Sequence, residues 1–347
     1  MRRGDRRNAT VVDVAERAQV SVATVSRVVN GNYAVRPSTR DRVLEAIDAL
    51  HYVPNVQARE LNLRHSTTIG VVVPSLYNMF FAEVIDGIEA TVRQYHYSLI
   101  FNCAKNDPQQ EMECVRALVS RNVAGIIVIS PNTAHIEPDF YEGVVERTPL
   151  VFINNGWHQI RGASYVDNDE RAGSRKALEY LMGLGHQRIL FVRGVNSDSY
   201  TVKEESYRQL MQEKGWLDEQ FIVNIGEGNS IDTVEHTADT LQPIIAKLRP
   251  TAVFCCNDLM GIGAQNACQR LGLRVPEDIS VMGYDNSSLA RLVEPKLTTM
   301  DQNMHQLGQN AVSLLLDSIK GARSRHITLQ NTLVERRSVA SCRKSED

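Results

Sequence analysis

The chain has 347 residues, of which 43% are hydrophobic and 23% charged, so its length and composition are those of a globular protein with two or three domains. No run of about 18 apolar residues occurs, and the Arg-rich N-terminus is not followed by the apolar segment of a signal peptide, which argues for a cytoplasmic protein and against a membrane protein. The net charge is −3, but residues 1–65 carry about +4 and the rest about −7, so a small basic segment precedes a larger acidic one.

The first predicted elements are short helices within residues 1–65, where no strand pattern occurs. Thr10-x-x-Asp13 has the spacing of a capping box, so a first helix is expected there, with Val14, Ala15 and Ala18 facing inward. The letters AQVS then indicate a tight turn. Ser21 follows as a suitable N-cap for a second helix.

A third helix is predicted to begin at Ser38-x-x-Asp41, a second candidate capping box. Its apolar spacing consists of Val43, Leu44, Ile47 and Leu50. Two short helices joined by a tight turn, with a third packed behind them, form a helix-turn-helix.

The second helix has one apolar face and one face of small or polar residues. Val25, Val28 and Val29 face one way, and the opposite face consists of Val22, Ala23, Ser26, Arg27 and Asn30. Small side chains allow a close approach to a major groove, and an Arg can donate twice to guanine. The spacing alone leaves a second interpretation open, in which this face is a solvent-exposed surface of a three-helix unit.

From Ile69 onward, short β-rich runs alternate with amphipathic helical stretches. The predicted strands are residues 68–74, 98–103, 124–130, 150–154, 188–192, 221–225, 251–256 and 279–285, and helices are predicted at Glu83 to Tyr95, Glu170 to Leu184 and Met260 to Leu271. Such alternation predicts parallel sheets with crossover helices. Eight strands exceed one doubly wound unit, so we expect two similar α/β subdomains with a cleft between them.

The sequence contains no recognised catalytic or metal-binding motif. It has no G-x-x-x-x-G-K-[ST], H-E-x-x-H or G-x-S-x-G, no metal-ligand spacing among the nine His, and no C-x-x-C pair among the six Cys, which are expected to be reduced thiols. His186, just before a strand, is expected to be structural. The adjacent Asn257 and Asp258 fit either acid–base chemistry or ligand binding at the ends of parallel strands.

The identities of the residues point to one protein family more specifically than their spacing does. ATVVDVAERAQVSVATVSRVVNG and VRPSTRDRVLEAIDALHYVPNVQARELN closely resemble the lactose repressor family of bacterial transcription regulators, and LGHQRILFV, AVFCCNDLMGIGA and VPEDISVMGYDNSSLARLVEPKLTTM extend the resemblance through the body. The resemblance implies an all-α helix-turn-helix head and a periplasmic-binding-protein-like body of two doubly wound α/β subdomains. Gln19 stands where Gly is common in the family, at a cost of about 1 kcal/mol if that residue is left-handed.

The resemblance also implies which residues contact DNA. Val22, Ala23 and Arg27 match the base-reading positions, Ser21, Thr24 and Ser26 match positions that face phosphate, and Thr10 and Asn30 match further backbone contacts. Asn55, Ala58, Arg59 and Leu61 match a hinge that folds on the operator, where Leu61 would wedge into a minor-groove step.

For the body, the resemblance implies a small polar effector in the cleft. Phe80 and Phe81 would form an apolar wall, although both could equally be core residues, and the hydrogen-bonding positions are Asn154, Lys203, Asn257 and Asp285. Asn154 stands where Asp is frequent in the family, and Lys203 stands where Arg is frequent. Losing a carboxylate while keeping a cation leaves the pocket less negative. The expected effector is therefore a sugar or a sugar acid.

The sequence thus predicts a transcriptional regulator, expected to be a repressor, without enzymatic activity, cofactor or metal. The expected domains are a head at 1–53, a hinge at 54–66 and a body at 67–341, with one subdomain at 67–166 and 301–329 and the other at 167–300 and 330–341. The expected partners are a pseudopalindromic double-stranded operator, the effector and a second copy of the chain. A solute-binding protein and a small-molecule enzyme on the same scaffold are the alternatives.

Overall fold

The computed structural model describes residues 9–30, 35–53, 66–155, 159–195 and 197–342. The chain divides into two compact units, Met1–Ser66 and Thr67–Asp347, which are called the head and the body below. Within the described ranges, no helix combines the length and the apolar character needed to cross a membrane.

The described part of the head consists of helices packed around a small valine core. These helices are α1 (Val11–Ala18), α2 (Val22–Asn30) and α3 (Pro37–Leu50). Val14, Val25 and Val43, one from each helix, are fully buried, and Ala15 and Ala18 are nearly so. The helix-turn-helix expected from the sequence is therefore present.

The start and end of α1 follow the sequence signals. The Asp13 amide donates to Thr10 Oγ1 at 3.3 Å and the Thr10 amide donates to Asp13 Oδ2 at 2.6 Å, so the predicted capping box is confirmed. Gln19 ends the helix in the left-handed conformation with φ 52°, which is the conformation that favours Gly.

Two details of the prediction for α3 were wrong. The helix begins at Pro37 after Arg36, with no side-chain cap, because the fixed φ of Pro suits the first helical position and Ser38 consequently lies inside the helix. Leu44 is 43% exposed, and Ala46 takes a place in the core instead. Because α3 contacts α1 and α2 through one narrow face only, Leu44 lies outside the core.

The first subdomain of the body is built on a parallel sheet with helices on both faces. Its strand order is β11-β5-β4-β3-β1-β2. The strands are β1 (Thr68–Val73), β2 (Ser98–Cys103), β3 (Gly125–Ile129), β4 (Leu150–Ile153), β5 (Ser164–Asn168) and β11 (His326–Leu329), and the helices are α4 (Met79–Gln94), α5 (Pro108–Ser120), α6 (Pro138–Val145) and α11 (Met304–Ile319).

Burial explains why the strands of this sheet read as continuous apolar runs. Val71 and Val73 of β1 pack in one layer with α4 and α11, while Val72 packs in the other layer with α5 and α6. A strand covered on both faces has no solvent-facing positions to fill with polar residues, so the period-2 alternation disappears.

The second subdomain repeats this architecture on a smaller parallel sheet. Its order is β7-β6-β8-β9. The strands are β6 (Ile189–Arg193), β7 (Ile222–Asn224), β8 (Ala252–Cys255) and β9 (Ser280–Met282), and the helices are α7 (Glu170–Gly183), α8 (Asp198–Glu213), α9 (Thr233–Leu248) and α10 (Asp258–Arg270). One continuous apolar cluster joins these strands and helices.

The chain passes between the two subdomains three times within the described body. The first passage follows β5, the second follows β10 (Thr299–Asp301), and the third lies between β11 and β12 (Thr332–Val334). β10 and β12 pair with each other as an antiparallel ribbon. The domain limits expected from the sequence stay a prediction, since residues 54–65 fall outside the described ranges.

The eight predicted strands are all present, but β5, β10, β11 and β12 were not foreseen. β5 reads SYVDN and β11 reads HITL, so polar residues interrupt both, and β10 and β12 span three residues each. Short polar segments carry too little periodicity to be recognised without the sheet that they join.

Candidate functional site

The start of α2 is held by hydroxyl groups of the predicted DNA-contacting residues. Ser21 Oγ accepts a hydrogen bond from the Thr24 amide at 3.2 Å, which confirms Ser21 as the N-cap, and the Ser21 and Thr24 hydroxyls lie 2.9 Å apart. Thr10 Oγ1 donates to Asp13 Oδ2 at 2.7 Å. These three side chains therefore fix the starts of α1 and α2, with Thr10 and Ser21 exposed and Thr24 half-buried.

One face of α2 is exposed, and its described side chains are small apart from the guanidinium of Arg27. Val22 is 42% exposed, and Ala23, Ser26 and Arg27 are exposed as well, whereas Val25 and Val28 on the other face are buried. The division of the helix into two faces thus follows the sequence prediction. The side chain of Asn30 lies outside the described part, and so do the hinge residues Asn55, Ala58, Arg59 and Leu61.

The body contains a small polar cavity between its subdomains, called the inner cavity here. Its volume is about 40 Å³. All six residues predicted for the effector line it, namely Phe80, Phe81, Asn154, Lys203, Asn257 and Asp285. They come from α4, from α8, and from loops that follow strands, so the fold brings together what the sequence separates by more than 200 positions.

Asp285 supplies an unsatisfied acceptor. Its carboxylate is buried, Oδ1 accepts from Gln302 Nε2 at 2.6 Å, and Oδ2 has no hydrogen-bond partner. Burial, followed by the nearby Asp258 carboxylate, raises the pKa of Asp285 well above its ordinary value. A hydrogen-bond donor from a ligand would satisfy this oxygen.

Lys203 is buried and already engaged. Its Nζ donates to Ser199 Oγ at 2.6 Å, lies 3.4 Å from Glu170 Oε1, and sits 4.2 Å from the centre of the Tyr284 ring. A buried ammonium requires such partners to offset the loss of hydration. The cation that the sequence suggested for an acidic ligand therefore has a carboxylate partner within the protein.

Two asparagines of the predicted set are held by the backbone. Asn257 caps α10 by accepting from the Met260 amide at 2.9 Å, and its Nδ2 donates to the Gly228 carbonyl at 2.9 Å. Asn154 has φ 54°, and its Oδ1 accepts from the Asn168 amide at 3.1 Å. Both side chains are thus fixed in place before any ligand contact.

Phe80 and Phe81 belong both to the core and to the cavity wall. Each is 4% exposed, their rings meet edge to face with centroids 5.3 Å apart, and both belong to the apolar cluster of the first subdomain. Both also line the inner cavity. The two interpretations that the sequence left open are therefore compatible.

Several lining residues were not anticipated from the sequence. They include Glu170, Ser199, Tyr200, Asn229 and Gln302. Tyr200 OH lies within hydrogen-bonding distance of both Asn257 Nδ2 and Asn229 Oδ1, at 3.1 and 3.2 Å. No motif marks these positions, and Gln302 follows β10, a strand that was itself not foreseen.

A larger cavity of about 590 Å³, called the outer cavity here, shares Asn154, Glu170 and Ser199 with the inner one. His326 Nε2 and Asp167 Oδ2 lie 2.7 Å apart in its wall. Burial raises the pKa of Asp167 to about 6, although His326 opposes the rise. The lining is rich in carboxylates, including Asp169 and Asp198.

The other residues considered for chemistry have structural contacts. His186 is buried between Thr251 Oγ1 at 3.1 Å and the Ala340 carbonyl at 2.9 Å, and burial lowers its pKa. Asp258 accepts from Ser287 and Thr299, and the Cys residues are free thiols. No group of three or more potential metal ligands occurs among the residues that the structure describes.

Comparison with known proteins identifies both units. Residues 10–55 match the family described as bacterial regulatory proteins, lacI family, and residues 178–339 match the periplasmic binding protein-like domain. A curated relative, the HTH-type transcriptional repressor PurR of Vibrio atlanticus (strain LGP32), is 36% identical over 315 residues, covering 90% of this chain and 92% of the relative.

Solved structures extend the likeness to nearly the whole chain. The lac repressor dimer bound to operator and the anti-inducer ONPF superposes with a TM-score of 0.82 at 28% identity, covering 96% of this chain and 100% of the other. The complex of the transcriptional regulator CelR with cellobiose has a TM-score of 0.70 at 27% identity, covering 95% of this chain and 99% of the other. The two-unit fold expected from the sequence is therefore confirmed.

Proposed function

This chain belongs to the lacI family of bacterial regulatory proteins, and on that premise we propose that it represses transcription by binding operator DNA under the control of a small hydroxyl-rich effector. The observation that carries the proposal is the combination of two features in one chain. An exposed helix of small residues with one Arg occupies the head, and a buried polar cavity with an unsatisfied carboxylate oxygen lies in the body.

The head is proposed to read DNA through α2. Val22 and Ala23 can approach base edges closely, and Arg27 can donate twice to guanine O6 and N7. Ser21, Thr24 and Ser26, together with Thr10 and Asn30, are proposed to contact the DNA backbone, which sets the register of the helix without selecting bases. Asn55, Ala58, Arg59 and Leu61 remain the proposed hinge contacts.

The effector is proposed to be a sugar, and the charges around the cavity favour a neutral one. Asp285 and Glu170 place two carboxyl groups in the lining against the single ammonium of Lys203, which is already within 3.4 Å of Glu170. An additional carboxylate from a sugar acid would be buried without a free cation, and this is costly. Hydroxyl groups, by contrast, can donate to Asp285 Oδ2.

The assembly is proposed to be a homodimer that acts on DNA in the cytoplasm. The similar lac repressor binds its operator as a dimer, and a two-fold dimer places two heads on two half-sites of a pseudopalindrome. No catalytic role is proposed, because the curated relative is a transcriptional repressor and the polar residues of the cavity hold helix ends and one another.

Selection of bound sequences from random double-stranded DNA with the full-length protein tests this function. The enriched sequences should share a pseudopalindrome, and adding the effector from a panel of sugars and sugar acids should change the amount recovered. Failure to enrich any palindrome at low salt, where phosphate contacts are strongest, would contradict the proposal.

A further inference from the structure

The outer cavity has more carboxyl groups than cationic groups in its lining. The carboxyl groups belong to Asp167, Asp169, Glu170 and Asp198, and the basic side chains are Arg171 and His326. Arg171 Nη2 donates to Glu205 Oε2 at 2.7 Å, and Glu205 does not line the cavity. The charge of Arg171 is therefore already paired with a carboxylate outside the lining.

Neighbouring positive charge offsets part of this excess but not all of it. α7 begins at Glu170 and α8 begins at Asp198, and the free amides of each helix start act as about half a positive charge. Lys203 Nζ lies 3.4 Å from Glu170 Oε1, and His326 Nε2 lies 2.7 Å from Asp167 Oδ2. Even with His326 protonated, these contributions come to about three charges against four carboxylates.

A buried amide oxygen in the same lining has no hydrogen-bond partner among the described residues. Asn168 is 8% exposed, and its Nδ2 donates to Gln302 Oε1 at 3.1 Å. Gln302 Nε2 in turn donates to Asp285 Oδ1 at 2.6 Å, which sets the orientation of both amides. Asn168 Oδ1 is the atom left over, on the side of the planar amide away from Gln302. Buried acceptors of this kind are rare unless a ligand or water satisfies them.

Two unsatisfied acceptors thus lie at the two ends of one chain of side chains. Asp285 Oδ2 lines the inner cavity and Asn168 Oδ1 belongs to the lining of the outer one, with Gln302 between them. The two cavities also share Asn154, Glu170 and Ser199, so they are continuous. A single molecule that occupies both would meet one acceptor in each.

The chemistry of the outer lining selects an organic cation. No group of three or more potential metal ligands occurs in the described part of the chain, so this lining does not supply a metal site there. A hydroxyl group could satisfy Asn168 Oδ1 but would leave the negative charge unpaired. A primary ammonium carries three donors and a positive charge, so it satisfies both requirements.

We propose that the outer cavity binds an ammonium group, so that the effector is a hydroxylated amine of the amino-sugar class. This inference rests on the proposed function and names a second functional group on its effector. The ammonium donates to Asn168 Oδ1 and pairs with the carboxylate of Asp198. The inner cavity still receives hydroxyl groups, which donate to Asp285 Oδ2.

Calorimetric titration of the full-length protein with matched sugars tests the ammonium site. Glucosamine, galactosamine and mannosamine are each compared with the parent hexose and with the N-acetyl derivative, which keeps an N–H donor but has no charge. In at least one series the amine should bind about 10- to 100-fold more tightly than both other members, the range expected for a hydrogen bond to a charged group.

Two variants locate the preference in the outer cavity. Asp198→Asn removes one carboxylate with little change of shape and should lower the ratio of amine to hexose affinity about 10-fold. Asp139→Asn is the matched control, because Asp139 lies in the first turn of α6, is exposed and lines neither cavity. It should keep the full ratio. Asn168→Ala removes the unsatisfied acceptor, should also lower the ratio, and decides the matter if Asp198→Asn does not fold.

The outcomes separate this inference from the proposed function. Equal affinities within every series, no binding by any of the three amines, or a parental ratio in a folded Asp198→Asn or Asn168→Ala protein would overturn the inference. If selection enriches a pseudopalindrome while the amines show no preference, the ammonium site alone fails. If selection enriches no DNA, the proposed function fails, and the titration still measures the ammonium site.

Discussion

Arg27 is the exposed residue of α2 whose chemistry can distinguish one base pair from another. If it reads a guanine, Arg27→Ala should relax the preference at one position of each half-site and cost about 1–3 kcal/mol there. The loss should be confined to that position, because the other small side chains of the face remain. Selection with the variant, compared base by base with the parent, measures this.

The control for this prediction is a residue proposed to contact phosphate. Ser26→Ala should weaken binding to all sequences alike, because a hydroxyl that contacts phosphate carries no base information. If Arg27→Ala leaves the base preference of the parent intact and only lowers overall affinity, the assignment of Arg27 as the base reader is wrong.

Asp258 gives the body a specific pH dependence. Burial raises its pKa to about 6 against hydrogen bonds from Thr299 and Ser287 that lower it. A carboxyl group that holds its proton more tightly in the folded state stabilises the fold most below its unfolded pKa of about 4, and this contribution is lost as pH rises through about 6. The contribution of Asp258 to the free energy of unfolding should therefore fall in this window.

The variant Asp258→Asn removes the titration and should flatten the slope. Urea unfolding between pH 4 and 7 should show a decline that is smaller than in the parent by up to about 1.4 kcal/mol per pH unit. Parallel curves for the two proteins would show that Asp258 titrates at its ordinary pKa. The variant also loses an acceptor for Ser287 or Thr299, which lowers stability at all pH values without changing the slope.

At the scale of elements, α4 and α11 meet at a backbone contact that requires two glycines. A Cβ on Gly87 of α4 would lie 2.2 Å from the His305 carbonyl oxygen, and a Cβ on Gly308 of α11 would lie 2.3 Å from the Val84 carbonyl oxygen. A backbone carbonyl oxygen cannot move aside as the end of a flexible side chain can. The two helices therefore pack more closely than any other residue type would allow.

Gly308→Ala should separate these helices and destabilise the first subdomain. We expect a loss of about 1–3 kcal/mol, the usual cost of overpacking, measured by urea unfolding. Gly143→Ala in α6 is the matched control, because a Cβ there meets no atom within 4 Å and Ala is the better helix former. Equal stability of Gly308→Ala and the parent would show that the helices can shift without cost.

The elements also show which local signals can be trusted. The capping box at Thr10 and the N-cap at Ser21 appeared as predicted, because side chain and amide lie within one turn and need no tertiary partner. The predicted cap at Ser38 failed because Pro37 one position earlier is better suited to the first helical residue. Two local signals competed, and the fixed φ of Pro prevailed.

At the scale of the whole molecule, the charges lining the inner cavity predict which ligands bind. Calorimetric titration should detect neutral sugars at affinities at least about 10-fold above those of aldonates or uronates of the same skeleton, because burying a further carboxylate beside Asp285 and Glu170 is unfavourable. Asp285→Asn should weaken the binding of the neutral sugar, since one carboxyl oxygen is replaced by an amide nitrogen, which cannot accept a hydrogen bond from a hydroxyl group. Preferential binding of sugar acids would restore the alternative in which Lys203 pairs with the ligand.

The sequence by itself determined the class of the protein and the surface of its head. Helix caps, turn residues and apolar spacing act over a few residues, so the three helices and the exposed face of α2 could be predicted from letters alone. The alternation of strands and helices likewise determined a layered α/β body. The six residues expected at the cavity were found from family resemblance, and the fold brings them to one cavity.

Only the tertiary structure decided how that cavity is closed. Asn78 and Asn229 carry no motif and lie far from Asn257 in the sequence, and either could have been an ordinary cap or loop residue. Their meeting depends on the angle between two subdomains linked by three chain passages, which no local periodicity encodes. The engagement of Lys203 by Glu170 depends on the same packing, because a charge distribution inside a cleft is a property of the folded surface and not of the order of residues.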